Sequence, residues 1–159
     1  MATRARAITG KLAERFRIEA SARGVVRLTP GRGEVAPSAA ARRHAARARA
    51  ELAEYFAGRR TYFSVPVDLE GLPAFQARVL AETARLGYGA RTSYTALARR
   101  VGAARAARAV GNALAANPVP ILVPCHRVVR SDGTWGHYAF GGALKTALLG
   151  LEARVSRPA

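Results

Sequence analysis

Residues 119–129 read Val-Pro-Ile-Leu-Val-Pro-Cys-His-Arg-Val-Val. Pro120 and Pro124 argue against a helix and against a central strand. Apolar residues flank Cys125 on both sides, so the spacing predicts a buried, rigid, extended connection. Cys125 is the single cysteine of the chain. It cannot be half of an intrachain disulfide or anchor a multi-thiolate zinc site. Two readings remain: a buried packing residue, or a thiol with chemistry. His126 follows directly, and Arg127 and Arg130 are close in sequence. Cationic neighbours lower a thiol pKa, and the thiolate is the nucleophile.

Upstream of this connection the pattern is helical. Phe75, Val79 and Leu86 share one face, and Gly87 and Gly89 break that run. Ser93 is an N-cap for a short helix that uses Tyr94, Leu97, Ala98 and Val101. After Gly102 a further helix is expected from about Ala104 to Ala116, closed by Asn117-Pro118. Two short helices around a glycine make a helix-turn-helix candidate. Downstream, Ser131-Asp132-Gly133 is a turn. Gly141-Gly142 precedes a final helix with Leu144, Leu148 and Leu151 on one face and Lys145 and Glu152 on a neighbouring one.

The first seventy residues read differently. Residues 16–20 and 25–28 alternate apolar and polar about a turn at 21–24, which predicts a hairpin. Residues 29–37 are expected as loop. An Ala/Arg-rich helix should run from about Ser38 to Phe56, burying Leu52, Tyr55 and Phe56, and Tyr62–Val67 is expected as another strand. Gly71-Leu72-Pro73 marks a boundary. The fold class expected is α+β. A small α/β domain (1–70, antiparallel sheet plus helix) would precede a mostly helical, winged-helix-like domain (71–159).

The chain has 159 residues, half of them apolar, and no run of membrane-spanning length; a soluble cytoplasmic protein is expected. Lys plus Arg is 26 against 10 acids, a net +16. Arg91 to Arg130 contains seven Arg and no acid. Such a field attracts phosphate backbones. Codon bias towards Arg and Ala would inflate both residues but would not strip acids from one stretch. The expected partner is nucleic acid.

The helix after Gly102 offers Arg105 and Arg108 as its only long polar side chains. A major groove is read by long polar side chains. Ala107 and the other small residues instead suit close approach to a minor groove, with Arg108 as a wedge into the base stack. Helix packing is the plainer alternative. A reactive Cys125 needs a base. His126 would serve through a water, because neighbours on an extended chain point to opposite faces. Glu152 is a candidate carboxylate behind it.

Phe75 to Glu152 resembles the O6-alkylguanine-DNA alkyltransferases, or methylated-DNA–protein-cysteine methyltransferases. The segments that carry the resemblance are Gly-Tyr-Gly-Ala-Arg-Thr-Ser-Tyr (87–94), Arg-Ala-Val-Gly-Asn-Ala-Leu-Ala-Ala-Asn-Pro (108–118), Pro-Cys-His-Arg-Val-Val (124–129), Gly-His-Tyr-Ala-Phe-Gly-Gly (136–142) and Lys-Thr-Ala-Leu-Leu-Gly-Leu-Glu (145–152). The resemblance implies repair of O6-alkylguanine: minor-groove binding to duplex DNA, extrusion of the damaged base, and one irreversible alkyl transfer to Cys125. It implies His126 as water-mediated base, Glu152 behind it, and Tyr94 as donor to the guanine and rotator of the nucleotide. Arg108 would be the finger filling the stack, flanked by Ala107 and Arg105. Asn117 would be a hinge, the Val128 backbone a hold on the base edge, and Lys145 a support. Tyr138, Ala139 and Phe140 would wall the pocket.

The chain departs from the family at Gly87 (usually Pro), Leu80 (often Trp) and Ala139-Phe140 (often Arg-Trp in bacterial members). Phe140 is expected to crowd the pocket against bulky benzylated guanines. No metal and no cofactor are expected. A monomer is expected in solution, with cooperativity along DNA left open. Two rivals are a DNA-binding regulator with Cys125 as redox or alkylation sensor, and a cysteine hydrolase acting on an acidic small molecule.

Overall fold

The computed structural model describes residues 9–156. The alternating segments form the expected hairpin. Strands β1 (Phe16–Ser21) and β2 (Gly24–Pro30) pair antiparallel, from Phe16 opposite Pro30 to Ser21 opposite Gly24. Alternation turns Phe16, Ile18 and Ala20 inward. The 29–37 stretch is not all loop: β2 runs on to Pro30, and a short β3 (Glu34–Val35) pairs parallel with the free edge of β1. The sheet, ordered β2-β1-β3, is therefore mixed rather than antiparallel.

Helix α1 (Ala39–Phe56) starts where Ser38 accepts a hydrogen bond from the Ala41 amide at 3.0 Å. Ala41, Ala45, Ala48, Leu52, Tyr55 and Phe56 are fully buried. The small residues let the helix lie close on the sheet, and each buried large apolar side chain contributes about 1.5–3 kcal/mol relative to exposure. The strand expected at Tyr62–Val67 does not form. Only Val67 makes an isolated bridge, to Val25, and Tyr62 is 67% exposed. The reason is a competing acceptor on α1. The buried Glu51 carboxylate takes the amides of Ser64 (2.9 Å) and Val65 (3.1 Å), and Pro66 has no N–H to give a ladder.

The second half is mostly helical: α2 (Ala74–Ala84), α3 (Tyr94–Arg100), α4 (Ala107–Ala115) and α5 (Gly142–Val155). Ser93 caps α3 as expected, accepting from the Ala96 amide at 3.0 Å. The helix-turn-helix is α3–α4, but α4 begins at Ala107 rather than Ala104. Residues 103–106 form a turn closed by the Ala106 amide on the Ala103 carbonyl, so Arg105 precedes the helix. Two short strands, β4 (Thr92–Ser93) and β5 (Val128–Val129), pair in parallel. This pairing ties the start of α3 to the stretch just after the cysteine. Helix α5 runs three residues past Glu152, to Val155, and residues 157–159 lie outside the described residues.

The two halves share one apolar cluster. Phe16 meets Phe140 (centroids 5.3 Å) and Tyr55 meets Tyr88 edge-on (6.0 Å). The Leu28 amide of β2 donates to the Pro118 carbonyl at 2.8 Å. Among the described residues no helix is long and apolar enough to cross a membrane.

Candidate active site

Residues 117–129 are buried throughout apart from half-buried Pro118. Asn117 braces the stretch from inside: its Oδ1 accepts from the Val119 amide (3.0 Å) and its Nδ2 donates to the Val123 carbonyl (3.1 Å). Between these anchors Ile121 is held at φ +75° while fully buried. A β-branched residue there is strained, so the surroundings must enforce the conformation. The extended backbone expected at the cysteine is not found. Cys125–Arg127 is a 3-10 turn, with the Arg127 amide on the Pro124 carbonyl at 3.0 Å. Three residues per turn send three consecutive side chains in three directions rather than two. Cys125 faces a cavity, whereas His126 and Arg127 reach Glu152.

Glu152 is the hub of a buried network. Its Oε1 accepts from His126 Nε2 at 2.8 Å, from Arg127 Nη2 at 2.7 Å and Nε at 3.1 Å, and from the Tyr55 hydroxyl at 2.7 Å. Its Oε2 accepts from Arg127 Nε at 3.0 Å and from the Gly89 amide at 3.2 Å. Burial alone would raise this carboxyl. The hydrogen bonds from His126 and Arg127 and the charge of Arg127 outweigh burial and hold it at about 2. Burial lowers the His126 pKa, against the pull of Glu152, so the ring rests neutral. An ionised carboxylate at Nε2 keeps the proton on that nitrogen. The lone pair is then on Nδ1, which is buried and has no partner among the described residues.

The cavity at the thiol measures about 620 Å³. Tyr94, Ala107, Arg108, Gly111, Arg130, Tyr138 and Ala139 contribute to its wall together with Cys125. That wall contains two guanidinium groups and no carboxylate. Cys125 itself is only 5% exposed. Burial pushes its thiol up to about 11, while the Asn117 amide and the Lys145 ammonium pull the other way. The expectation that Arg127 and Arg130 would ionise it is therefore corrected. Arg127 turns to Glu152, and the cation that favours the thiolate is Lys145. The resting group is a thiol.

Lys145 is fully buried. Its Nζ donates to the Val128 carbonyl (2.7 Å) and the His137 carbonyl (3.4 Å), 5.9 Å from the Tyr94 ring centroid. Burial lowers it to about 8. Tyr94 opens α3 and donates to the His137 carbonyl at 3.4 Å; burial raises its phenol, which stays a donor. Gly136, at φ +72°, passes so close that a β-carbon there would lie 2.7 Å from the Tyr94 hydroxyl. The Tyr138 hydroxyl is buried without a partner among the described residues.

The structure thus gathers Tyr94, Ala107, Arg108, Cys125, Tyr138 and Ala139 around one cavity, with His126, Glu152, Asn117, Lys145 and Val128 in the layer behind. Phe140, expected in the pocket wall, does not line the cavity, and Arg105, expected beside Arg108 at the DNA face, stays outside it on the surface. Arg105 sits on the exposed turn before α4. Phe140 packs on Phe16 and, at 6.0 Å, on Tyr138, so its ring gains apolar burial away from the cavity and does not crowd it. Sequence reasoning missed Tyr55 and the buried Arg127. The nearest cation in sequence to Glu152 is Arg154, two residues on and so turned to another face of the helix; that was the available signal that a partner had to come from afar.

The profile of the 6-O-methylguanine DNA methyltransferase, DNA binding domain, matches residues 74–154. The methylated-DNA–protein-cysteine methyltransferase of Mus musculus is 47% identical over 105 residues, covering 57% of this chain and 50% of the relative. The inducible enzyme of that name from Bacillus subtilis is 42% identical, covering 67% of this chain and 59% of the relative. The chain thus spans half to three fifths of these curated relatives. The crystal structure of Mycobacterium tuberculosis OGT in complex with DNA superposes with a TM-score of 0.72 at 34% identity, covering 88% of this chain and 93% of that one.

Proposed function

Because the chain belongs to the 6-O-methylguanine DNA methyltransferase family, we propose that it repairs O6-alkylguanine in DNA by one irreversible transfer of the alkyl group to Cys125. The observation that carries this reading is the placement of the one thiol: it faces a cavity with ample room for a purine beside a helix-turn-helix, with the His126–Glu152 pair behind it.

The target carbon is inside a duplex and must be swung out. Helix α4 would approach the minor groove on Ala107 and Gly111, and Arg108 would fill the gap left in the stack. The extruded base would enter between Tyr94, Tyr138 and Ala139, its edge held by the Val128 backbone. The Cys125 proton would pass through a water to His126 Nδ1, and Glu152 would balance the imidazolium charge. The sulfur then attacks the alkyl carbon, the bond from carbon to O6 breaks, and its electron pair stays on the guanine. Tyr94 donates to that developing charge. Lys145 supports the thiolate and Asn117 links α4 to the thiol segment. The thioether is inert, so no second turnover follows. Residues 1–70 would act as the supporting domain and 71–159 as the binding and acceptor domain. The protein would work as a cytoplasmic monomer that joins the nucleoid when bound to DNA.

Intact-mass measurement after mixing with a duplex carrying O6-methylguanine tests this. One added methyl, mapped to Cys125, is expected. Repaired DNA with an unmodified Cys125 would sink the assignment.

A further inference from the structure

We infer that Tyr55, on the helix of the N-terminal half, is a positioning residue for the transfer: its hydroxyl holds the Glu152 carboxylate and restrains how strongly that carboxylate supports His126. The inference rests on the proposed function and extends it to a residue outside the acceptor half. Tyr55 is fully buried, and its hydroxyl lies 2.7 Å from Glu152 Oε1 and 3.4 Å from His126 Nε2. It reaches across 97 positions of sequence to do so.

The crowding at Oε1 gives the contact its consequence. This oxygen faces His126 Nε2, two nitrogens of Arg127 and the Tyr55 hydroxyl, all within 3.1 Å. A carboxylate has about four lone-pair sites over both oxygens. Every donor beyond the first weakens the hold on the others. Tyr55 and Arg127 therefore compete with His126 for one oxygen, and the imidazole sees a less basic carboxylate than an isolated pair would supply.

The other groups around the pair are fixed. From the loop before β4 come the Gly89 amide, on Oε2, and Tyr88, whose buried hydroxyl has no partner among the described residues. From the 3-10 turn comes Arg127, which also donates to the Leu86 carbonyl at 2.5 Å. From α5 come Lys145, whose charge disfavours an imidazolium, and Arg154, which acts on Tyr88. From the 130–140 loop comes the Tyr138 ring, edge-on to His126 at 6.5 Å. Of these, Tyr55 alone is a neutral donor aimed at the oxygen that His126 uses.

Two variants of the full chain test this. Tyr55→Phe keeps the ring and removes the donor. His126 should then hold its proton more tightly, and the acid limb of single-turnover transfer against pH should move up by roughly half a pH unit or more. Placing 3-fluorotyrosine at position 55 strengthens the donor almost without changing shape and should move the limb down. NMR titration of the His126 ring in DNA-free protein should show the same two opposite shifts. An unmoved limb and unmoved ring titration in both variants, whatever the plateau rate, would overturn the role. A parent protein that accepts no methyl would instead defeat the proposed function while leaving the ring titration to judge Tyr55.

Discussion

Arg127 grips Glu152 through two nitrogens: Nε lies 3.0 Å from Oε2, and Nη2 lies 2.7 Å from Oε1. Both side chains are buried. Removing one member of such a pair leaves a charge uncompensated and costs about 3–5 kcal/mol. Arg127→Ala is expected to lower the unfolding free energy by that order in urea titration. Arg127→Lys should recover little, because an ammonium cannot serve both oxygens and the Leu86 carbonyl at once.

Glu152 makes the fold acid-sensitive in a defined window. Its folded pKa of about 2 is below the ordinary 4.5. A depressed carboxylate contributes stability above its unfolded pKa and loses it as pH falls towards the folded one. The contribution at neutral pH is at most about 3 kcal/mol. Chemical unfolding between pH 5 and 2, taken as about the span of those two values, should show a steeper loss in the parent chain than in Glu152→Gln. Parallel slopes would contradict the assignment.

Burial of Cys125 gives a different expectation from a pre-ionised nucleophile. With the thiol near 11, about one molecule in ten thousand carries a thiolate at pH 7. Labelling of the folded, DNA-free chain by iodoacetamide should be at least about tenfold slower than labelling of the unfolded chain. The rate should rise with pH, less steeply from about 8, where Lys145 loses its proton and its support. Fast labelling at neutral pH would show that the thiol is ionised at rest.

Where the cause of a structure is local, the sequence carries its signal. Ser38 and Ser93 cap the helices that their residue type promised, and alternation at 16–20 gave the hairpin. The Tyr62–Val67 strand failed because Glu51, eleven or more residues upstream, takes the amides a ladder would need. The extended reading of the cysteine segment failed because Pro124 starts a turn rather than a strand. Cys125 and His126 stand out in the motif at 124–129. Their electrostatics do not. Arg127 is adjacent to His126 and two residues from the thiol, yet its charge is spent on a carboxylate 25 positions away. Tyr55 carried only the signature of a core aromatic, since nothing within its own helix needs its hydroxyl.

Arg108 separates base extrusion from chemistry. It is exposed on α4, lines the cavity, and has no ion-pair partner among the described residues. If it fills the stack, Arg108→Ala should slow transfer from duplex DNA by roughly ten- to a hundredfold, the scale of a few kcal/mol of unstacking. Transfer from free O6-methylguanine base needs no extrusion and should be nearly unchanged. Binding to duplex should keep most of its salt dependence, because one phosphate-scale contact of several is removed. Measuring both substrates with the same variant isolates the step. Equal slowing on duplex and free base would place Arg108 in the chemistry of the pocket instead, and no slowing on either would leave the gap in the stack to another residue of the turn before α4, with Arg105 the nearest cation.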